Sequence, residues 1–123
     1  MKKAGITPPI AEGGDMGKHI SVAQIVGQYR ARLEAILGDD LESVVLYGSQ
    51  ARGEAEEGSD IDVLCVVKTP FDYGDLIERT SKAAAQLSLE YDVVISTAFV
   101  RSEDYRTRST PFLMNVRREG VAV

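Results

Sequence analysis

The sequence contains little of several features that mark other protein classes. It has one cysteine and no tryptophan, so no internal disulfide can form and a reducing cytoplasm is the expected location. No apolar segment approaches the length of a membrane span, so no membrane association is expected. Asp and Glu total 19 against 14 Lys and Arg, a net charge of −5. This acidic balance argues against direct nucleic-acid binding.

The remaining composition is that of an ordinary globular domain. Hydrophobic residues make up 44% of the chain and charged residues 27%, and a length of 123 residues suits one hydrophobic core. Residues 1–18 are rich in Gly and Pro and poor in large apolar side chains, so we expect them to form a flexible leader. One folded domain is expected over residues 19–123.

Apolar periodicity predicts helices and strands that alternate along the chain. Ser21 and Gln24 form a capping box ahead of the first helix, which Gly38 ends. The later elements are expected to be strands over 43–47 and 61–67, a helix over 72–88, a strand over 90–96 and a helix opened by Thr110 and Pro111. This order indicates a compact α/β fold, with a sheet covered mainly by helices.

One segment carries residues typical of phosphate and metal chemistry. Gly48 and Ser49 follow the first predicted strand, and after ten intervening residues Asp60 and Asp62 open the second. Alternate side chains of a strand share a face, so these carboxylates would repel each other unless a cation, usually a divalent metal, lay between them. The Gly-Ser turn offers backbone N–H groups and a hydroxyl for a phosphate. The segment therefore predicts chemistry on a nucleoside triphosphate.

Two metal ions would need a third carboxylate, and Asp92 is the best candidate. The pattern places Asp92 within an apolar strand, where a buried carboxylate without a partner would be costly. Three carboxylates from neighbouring strands can hold two Mg²⁺ ions that clamp the attacking and leaving oxygens. Each of these residues also has a plainer interpretation, as an exposed loop or edge side chain.

Other motifs fit the sequence less well. No Gly-x-x-x-x-Gly-Lys-Ser/Thr loop is present, which disfavours a P-loop NTPase. In haloacid-dehalogenase-like phosphatases and many glycosyltransferases an Asp-x-Asp pair follows an apolar strand, whereas here the apolar run follows Asp60. A basic group near the end of the sequence is more often a solvated helix face than an RNA or partner site; its members are Arg101, Arg106, Arg108, Arg117 and Arg118.

The Gly48-Ser49 turn, the ten-residue gap, the Asp60-x-Asp62 pair and the later Asp92 resemble the minimal nucleotidyltransferases of the DNA polymerase β superfamily. The resemblance extends over roughly residues 20–121. It implies a nucleotidyltransferase palm, an α/β fold with a mixed β-sheet and helices packed mainly on one face. It also implies Mg²⁺-dependent transfer of a nucleoside monophosphate, with ATP as substrate, to an acceptor hydroxyl, and release of pyrophosphate.

Residue by residue, the resemblance assigns Asp60 and Asp62 to both metal ions and Asp92 to the catalytic ion. Gly48 and Ser49 would hold the β- and γ-phosphates, and Arg52 would contact the triphosphate. Many small members of this family are antitoxins encoded beside a HEPN-type RNase toxin, and some add AMP to a tyrosine of that toxin. The resemblance therefore implies a toxin protein as partner. Because the chain has little room for an acceptor-binding domain, the acceptor surface is expected to belong to a partner or to a second copy of the chain, in a hetero- or homo-oligomer.

Three functions remain open at this point. The favoured one is an enzyme that adenylylates a partner toxin, because a protein that only binds has no need for three acidic residues on strand faces. The second is a non-catalytic antitoxin that neutralises the toxin by direct binding. The third, a transferase acting on a small-molecule hydroxyl, is less favoured because a chain of this length has little room for an acceptor-binding domain.

Overall fold

The computed structural model describes residues 21–53 and 60–123. The predicted leader, residues 1–18, lies outside these ranges, as do residues 19–20 and 54–59. The helices are α1 (Val22–Leu37), α2 (Ser49–Arg52), α3 (Tyr73–Tyr91), α4 (Ser102–Thr107) and α5 (Pro111–Glu119), and the strands are β1 (Leu41–Tyr47), β2 (Ile61–Val67), β3 (Ile95–Arg101) and β4 (Val121–Ala122). The predicted α/β class is confirmed.

The first helix forms as its local sequence predicts. The Ser21 side chain accepts a hydrogen bond from the Gln24 backbone N–H at 3.1 Å, and the Gln24 side chain accepts one from the Ser21 N–H at 2.8 Å. Each bond satisfies a donor that the first turn of a helix leaves without an intrahelical partner. Gly38 ends α1 with a positive φ of 59°. No helix in the described part of the chain is both long and apolar enough to cross a membrane.

The four strands form one mixed sheet in the order β3-β2-β1-β4. β1 runs antiparallel to both β2 and β4, while β2 and β3 are parallel. The antiparallel pair places Tyr47 beside Asp62, and the parallel pair places Ser96 on the other side of Asp62. Three neighbouring strands therefore present Tyr47, Asp62 and Ser96 in a row across the sheet.

The two faces of the sheet are covered unequally. The larger core lies between one face and the helices α1 and α3, and its side chains include Tyr29, Leu33, Val63 and Cys65, each 0% exposed. On the other face a smaller cluster joins two strand residues to α5: Val45, Leu64, Leu113 and Val116. Helices therefore pack mainly on one face, as predicted, and the second face stays open beside Asp62.

The predicted third strand over residues 90–96 is wrong in its position. Helix α3 continues to Tyr91, and β3 begins only at Ile95. The helical spacing wins because Leu87 is fully buried and the Tyr91 hydroxyl contacts Gln28 of α1, with 3.0 Å between the Tyr91 oxygen and the Gln28 side-chain nitrogen. Asp92 is the C-cap of α3, in a left-handed conformation with φ 55° and ψ 49°, and it is exposed. It is not a buried strand residue.

The last helix, α5, begins where the sequence predicts, and one of its aromatic side chains is exposed. The Thr110 hydroxyl accepts a hydrogen bond from the Leu113 N–H at 3.2 Å, and Pro111 occupies the first turn. Phe112 does not enter the core: it is 44% exposed and packs edge-on against the Tyr47 ring, with 5.3 Å between centroids. The short strand β4, which pairs with β1, was not predicted because two residues carry no periodicity.

The left-handed conformation at Asp92 leads to a stability prediction. Because side chains with a Cβ are strained at positive φ and Gly is not, Asp92→Gly is expected to raise the free energy of unfolding by about 0.5 kcal/mol. Glu90→Gly, two residues earlier within α3, should lower it by about 1 kcal/mol. Urea unfolding of both variants would measure the difference, and equal effects at the two positions would contradict the cap assignment.

Candidate active site

A glycine turn links the end of β1 to the short helix α2. Gly48 has φ 77° and ψ −157°, a backbone conformation essentially restricted to glycine. Its carbonyl accepts hydrogen bonds from the N–H groups of Ala51 and Arg52, at 3.1 and 3.2 Å. Gly53 then ends α2 with φ 73°. The turn places Ser49 directly after the strand that neighbours Asp62.

The backbone of Gly48 approaches the carboxylate of Asp62 closely. A Cβ atom at position 48 would lie 2.5 Å from Oδ2 of Asp62, which is well inside contact distance. Asp60 precedes β2 directly and is exposed, while Asp62 is half-buried and the intervening Ile61 is fully buried. The alternation confirms that Ile61 faces the core, so both carboxylates belong to the open face. The structure thus brings Gly48, Asp60 and Asp62 together, as the spacing predicts.

Asp60 and Asp62 are like charges that no Lys or Arg of the described residues neutralises. Burial raises the pKa of the Asp62 carboxyl, and the charge of Asp60 raises it further. Burial also raises the pKa of the Tyr47 hydroxyl, with a second contribution from Asp62. Within the described ranges no Lys or Arg forms an ion pair with Asp60 or Asp62. A divalent cation would remove the repulsion that these pKa shifts report.

The structure does not bring Asp92 into this group. Across residues 21–53 and 60–123, no three His, Cys, Asp or Glu side chains come together in a way that could hold a metal ion. The strand next to Asp62 on that side presents Ser96, while Asp92 lies on the cap of α3. Its role as a metal ligand stays a prediction. Asp92 lies outside the predicted strand because α3 extends to Tyr91. The strand predicted over residues 90–96 did not allow for this extension.

A cleft of about 240 Å³ adjoins the glycine turn and continues away from the carboxylates. Tyr47, Gly48 and Arg52 form one wall, and α5 forms the other with Phe112, Asn115, Val116, Arg118 and Glu119. Arg52, predicted to contact a triphosphate, reaches across the cleft and its Nη1 lies 3.0 Å from Oε1 of Glu119. No local pattern in the sequence indicates Phe112 or Glu119 at this site, because α5 lies far from Arg52 along the chain.

These residues suit a metal-bound polyphosphate. Mg²⁺ in such sites is bound by one or two carboxylates, and substrate phosphates supply further oxygen ligands. Asp60 and Asp62 would provide the carboxylates, and Ser49 and Arg52 lie on α2, the short helix after the Gly48 turn, with a hydroxyl and a guanidinium. Opposite charges thus lie on neighbouring parts of one surface, which is the arrangement that phosphoryl and nucleotidyl transfer require.

Comparison with known proteins gives the family. A family model described as "Nucleotidyltransferase domain" matches residues 27–117, which include the glycine turn, both carboxylates and most of α5. The chain belongs to this family. It is a nucleotidyltransferase, and the palm architecture predicted from its sequence is confirmed.

Relatives and solved structures agree with this assignment. The nucleotidyltransferase is 35% identical over 106 residues to a protein of Methanocaldococcus jannaschii named as a candidate protein adenylyltransferase, covering 85% of this chain and 100% of the relative. A structure described as a minimal nucleotidyltransferase superposes with a TM-score of 0.56 at 21% identity, covering 85% of this chain and 98% of the other. A toxin–antitoxin crystal structure with AMP-PNP gives a TM-score of 0.55 at 21% identity, covering 76% and 68%.

The contact at Gly48 can be tested against a second glycine with a similar φ. Gly48→Ala places a Cβ against Asp62, so it should weaken Mg²⁺-dependent ATP binding by at least about tenfold, which is about 1.4 kcal/mol. Gly53→Ala is the matched control, because its φ is also positive but no atom of residues 21–53 and 60–123 is recorded within 4 Å of the added Cβ. It should cost about 1 kcal/mol of stability and leave ATP affinity unchanged. Calorimetric titration measures both, and equal affinities in the two variants would remove the assigned role of the contact.

The raised pKa of Asp62 contributes to the pH dependence of stability. Between the unfolded pKa, about 3.9, and the higher folded pKa, the folded state binds more protons than the unfolded state, so stability falls as pH rises through this window. Asp62→Asn removes this loss. The variant should be more stable than the parent at neutral pH, and the advantage should disappear below about pH 4.

Chemical unfolding at several pH values provides the measurement. Asp39→Asn serves as the control, since Asp39 is an exposed residue of the turn after α1 and the change is chemically the same. If Asp62→Asn still increased the free energy of unfolding at pH 3, or decreased it at neutral pH, the raised pKa assigned to the Asp62 carboxyl would be contradicted.

Proposed function

We propose that this nucleotidyltransferase transfers AMP from ATP to a tyrosine hydroxyl of a HEPN-type RNase toxin and so acts as its antitoxin. The observation that carries the proposal is the carboxylate pair Asp60 and Asp62, of which Asp62 lies against the backbone of Gly48, a residue that also lines the cleft together with Arg52. The curated relative from M. jannaschii is named as a candidate protein adenylyltransferase. That name supports a protein as the acceptor. We place the reaction in the cytoplasm, where the single free thiol of Cys65 would remain reduced.

The residues fit the Mg²⁺ ion that this chemistry uses. Asp62 has a raised pKa because it is partly buried and lies beside the charge of Asp60, so a cation between the two would stabilise both in the ionised form. Asp60 and Asp62 would hold the ion, and the nucleotide would complete its coordination. When bound, Mg²⁺ neutralises charge that develops on the phosphates during transfer.

The residues of the chain position the substrate. Gly48 lets the backbone come close to the carboxylate pair, Ser49 offers its hydroxyl to a phosphate, and Arg52 offers a guanidinium. During transfer the acceptor oxygen forms a bond to the α-phosphorus as the bond to the bridging oxygen breaks. Pyrophosphate leaves, and the hydroxyl proton passes to solvent. Orientation of the reacting oxygens is the main contribution of the protein to such a step.

The number of ions depends on Asp92. Asp60 and Asp62 by themselves account for one ion, and a second one requires the third ligand that the resemblance assigns to Asp92. In the described residues Asp92 is a helix cap, so we propose this role as a separate point to be tested. Asp92→Asn should lower the transfer rate more than the affinity for ATP, because a ligand of the acceptor-side ion acts mainly in the transition state.

The partner is proposed from the structures that share the fold. One of them is described as a toxin–antitoxin complex containing AMP-PNP, an ATP analogue. A non-catalytic antitoxin that acts by binding alone is the alternative. The carboxylate pair favours the enzyme, because binding a protein surface gives no reason to hold two like charges together at the cost shown by the pKa of Asp62.

Intact mass spectrometry tests the transfer directly. The chain is incubated with a purified HEPN-type toxin, ATP and Mg²⁺, and the toxin is expected to gain the mass of one or more AMP groups. Each phosphodiester-linked AMP adds about one negative charge and should reduce RNase activity. Peptide mapping should locate the modification on a tyrosine.

The double variant Asp60→Asn plus Asp62→Asn is the control, because it removes the metal-binding pair and relieves the repulsion within it. It should fold at least as stably as the parent and produce no modified toxin. If the toxin were silenced without any mass change, and equally well by the double variant, the binding-only antitoxin would replace the enzyme.

A further inference from the structure

One carboxylate lies between two arginines on the wall of the cleft. Oε1 of Glu119 is 3.0 Å from Nη1 of Arg52, and Oε2 of Glu119 is 3.1 Å from Nη2 of Arg118. Arg118 also donates from Nη2 to Oδ1 of Asn115 at 2.7 Å. The two guanidiniums pull the pKa of Glu119 below its usual value. Arg52 and Arg118 therefore share one anion, although they come from distant parts of the chain.

This ion cluster is not explained by helix stability. Glu119 is the last residue of α5, where a negative charge meets the negative end of the helix dipole and is unfavourable. The pairs are also largely solvent-exposed, with the side chains of Arg118 and Arg52 at 66% and 40%. Exposed ion pairs of this kind contribute little to folding. They can exchange partners at small cost when a stronger anion arrives.

The cluster lies at the end of α5 that packs against the sheet. Gly120, the next residue, donates to the carbonyl of Val116, and a Cβ at this position would lie 2.5 Å from Cγ1 of Val45. The end of α5 is thereby pressed against β1. Gly48 lines the cleft and also touches Asp62. The same glycine therefore borders both the cleft and the Asp62 carboxylate.

We propose that Arg118 is the second cation of a polyphosphate subsite in this cleft, and that Glu119 occupies the subsite as an internal anion until a triphosphate displaces it. The subsite takes the β- and γ-phosphates, whose several oxygens can accept from Arg52 and Arg118 together as the two carboxylate oxygens of Glu119 do. The inference rests on the proposed use of a nucleoside triphosphate. Arg118 would be a phosphate-binding residue outside the Gly-Ser and Asp-x-Asp motifs, and Glu119 would be a carboxylate of the chain itself that competes with the phosphates.

Binding of Mg²⁺-tripolyphosphate, measured by calorimetry, isolates this subsite from the nucleoside. Arg118→Gln should weaken tripolyphosphate binding by about tenfold, the loss of one charged hydrogen-bonding group. Glu119→Gln should strengthen it about threefold, because the competing charge is gone. Arg106→Gln is the matched control, since it removes the same charge from an exposed arginine that pairs with Glu42 at 3.6 Å, outside the cleft. It should change the affinity less than twofold.

Binding of AMP in the same variants decides between the phosphate end and the nucleoside end of the substrate. AMP lacks the β- and γ-phosphates, so Arg118→Gln should leave its affinity unchanged. An equal loss for AMP and tripolyphosphate would assign Arg118 to the base or ribose and overturn the inference. The inference would also be overturned if Arg118→Gln bound tripolyphosphate as tightly as the Arg106→Gln control does, or if the parent chain did not bind tripolyphosphate. If these affinities behave as expected while no toxin is modified, only the proposed function fails. Thermal unfolding of each variant verifies that the fold is retained.

Discussion

The close approach of Gly48 to Asp62 is the contact on which the site depends. It joins the end of β1 to the start of β2, and it requires both an absent side chain at position 48 and an antiparallel register that sets Tyr47 beside Asp62. The backbone adopts a conformation that other residues rarely tolerate, with φ 77° and ψ −157°. The rest of the sheet can be understood as the support that holds this arrangement, since buried side chains on the opposite face fix β1 and β2 against α1 and α3.

Two arginines line the cleft although the protein as a whole is acidic. The net charge is −5, yet the cleft beside Gly48 is lined by Arg52 and Arg118. The long-range electrostatic field of the whole molecule would repel a triphosphate at low ionic strength. A triphosphate would therefore have to be held by short-range contacts and by the cation that we propose between Asp60 and Asp62. Recognition by such contacts selects for the geometry of the ligand more than for its total charge.

Local sequence predicted the parts of this structure that local physics determines. The Ser21–Gln24 capping box and the face of β2 that carries Asp62 follow from hydrogen-bonding and alternation within a few residues. Asp92 could not be placed in this way, because residues 87–95 satisfy both helical spacing and a short apolar run. Packing of Leu87 and the contact of Tyr91 with Gln28 decide the outcome. The Arg52–Glu119 pair spans 67 positions, and no local pattern can indicate a contact at that separation.

The anchoring of α5 also bears on how the protein is made. Its C-terminal end is held by β4, which pairs with β1 through Val45 and Leu46, and by the hydrogen bond from Val123 to Val44. Helix α5, strand β4 and Val123 leave the ribosome after β1 and β2. A nascent chain can therefore bring Gly48 and Asp62 together while the second wall of the cleft is still absent. Until α5 docks, Tyr47 and Val45 lack their cover, and the growing chain exposes an apolar surface that a chaperone or a waiting partner could bind.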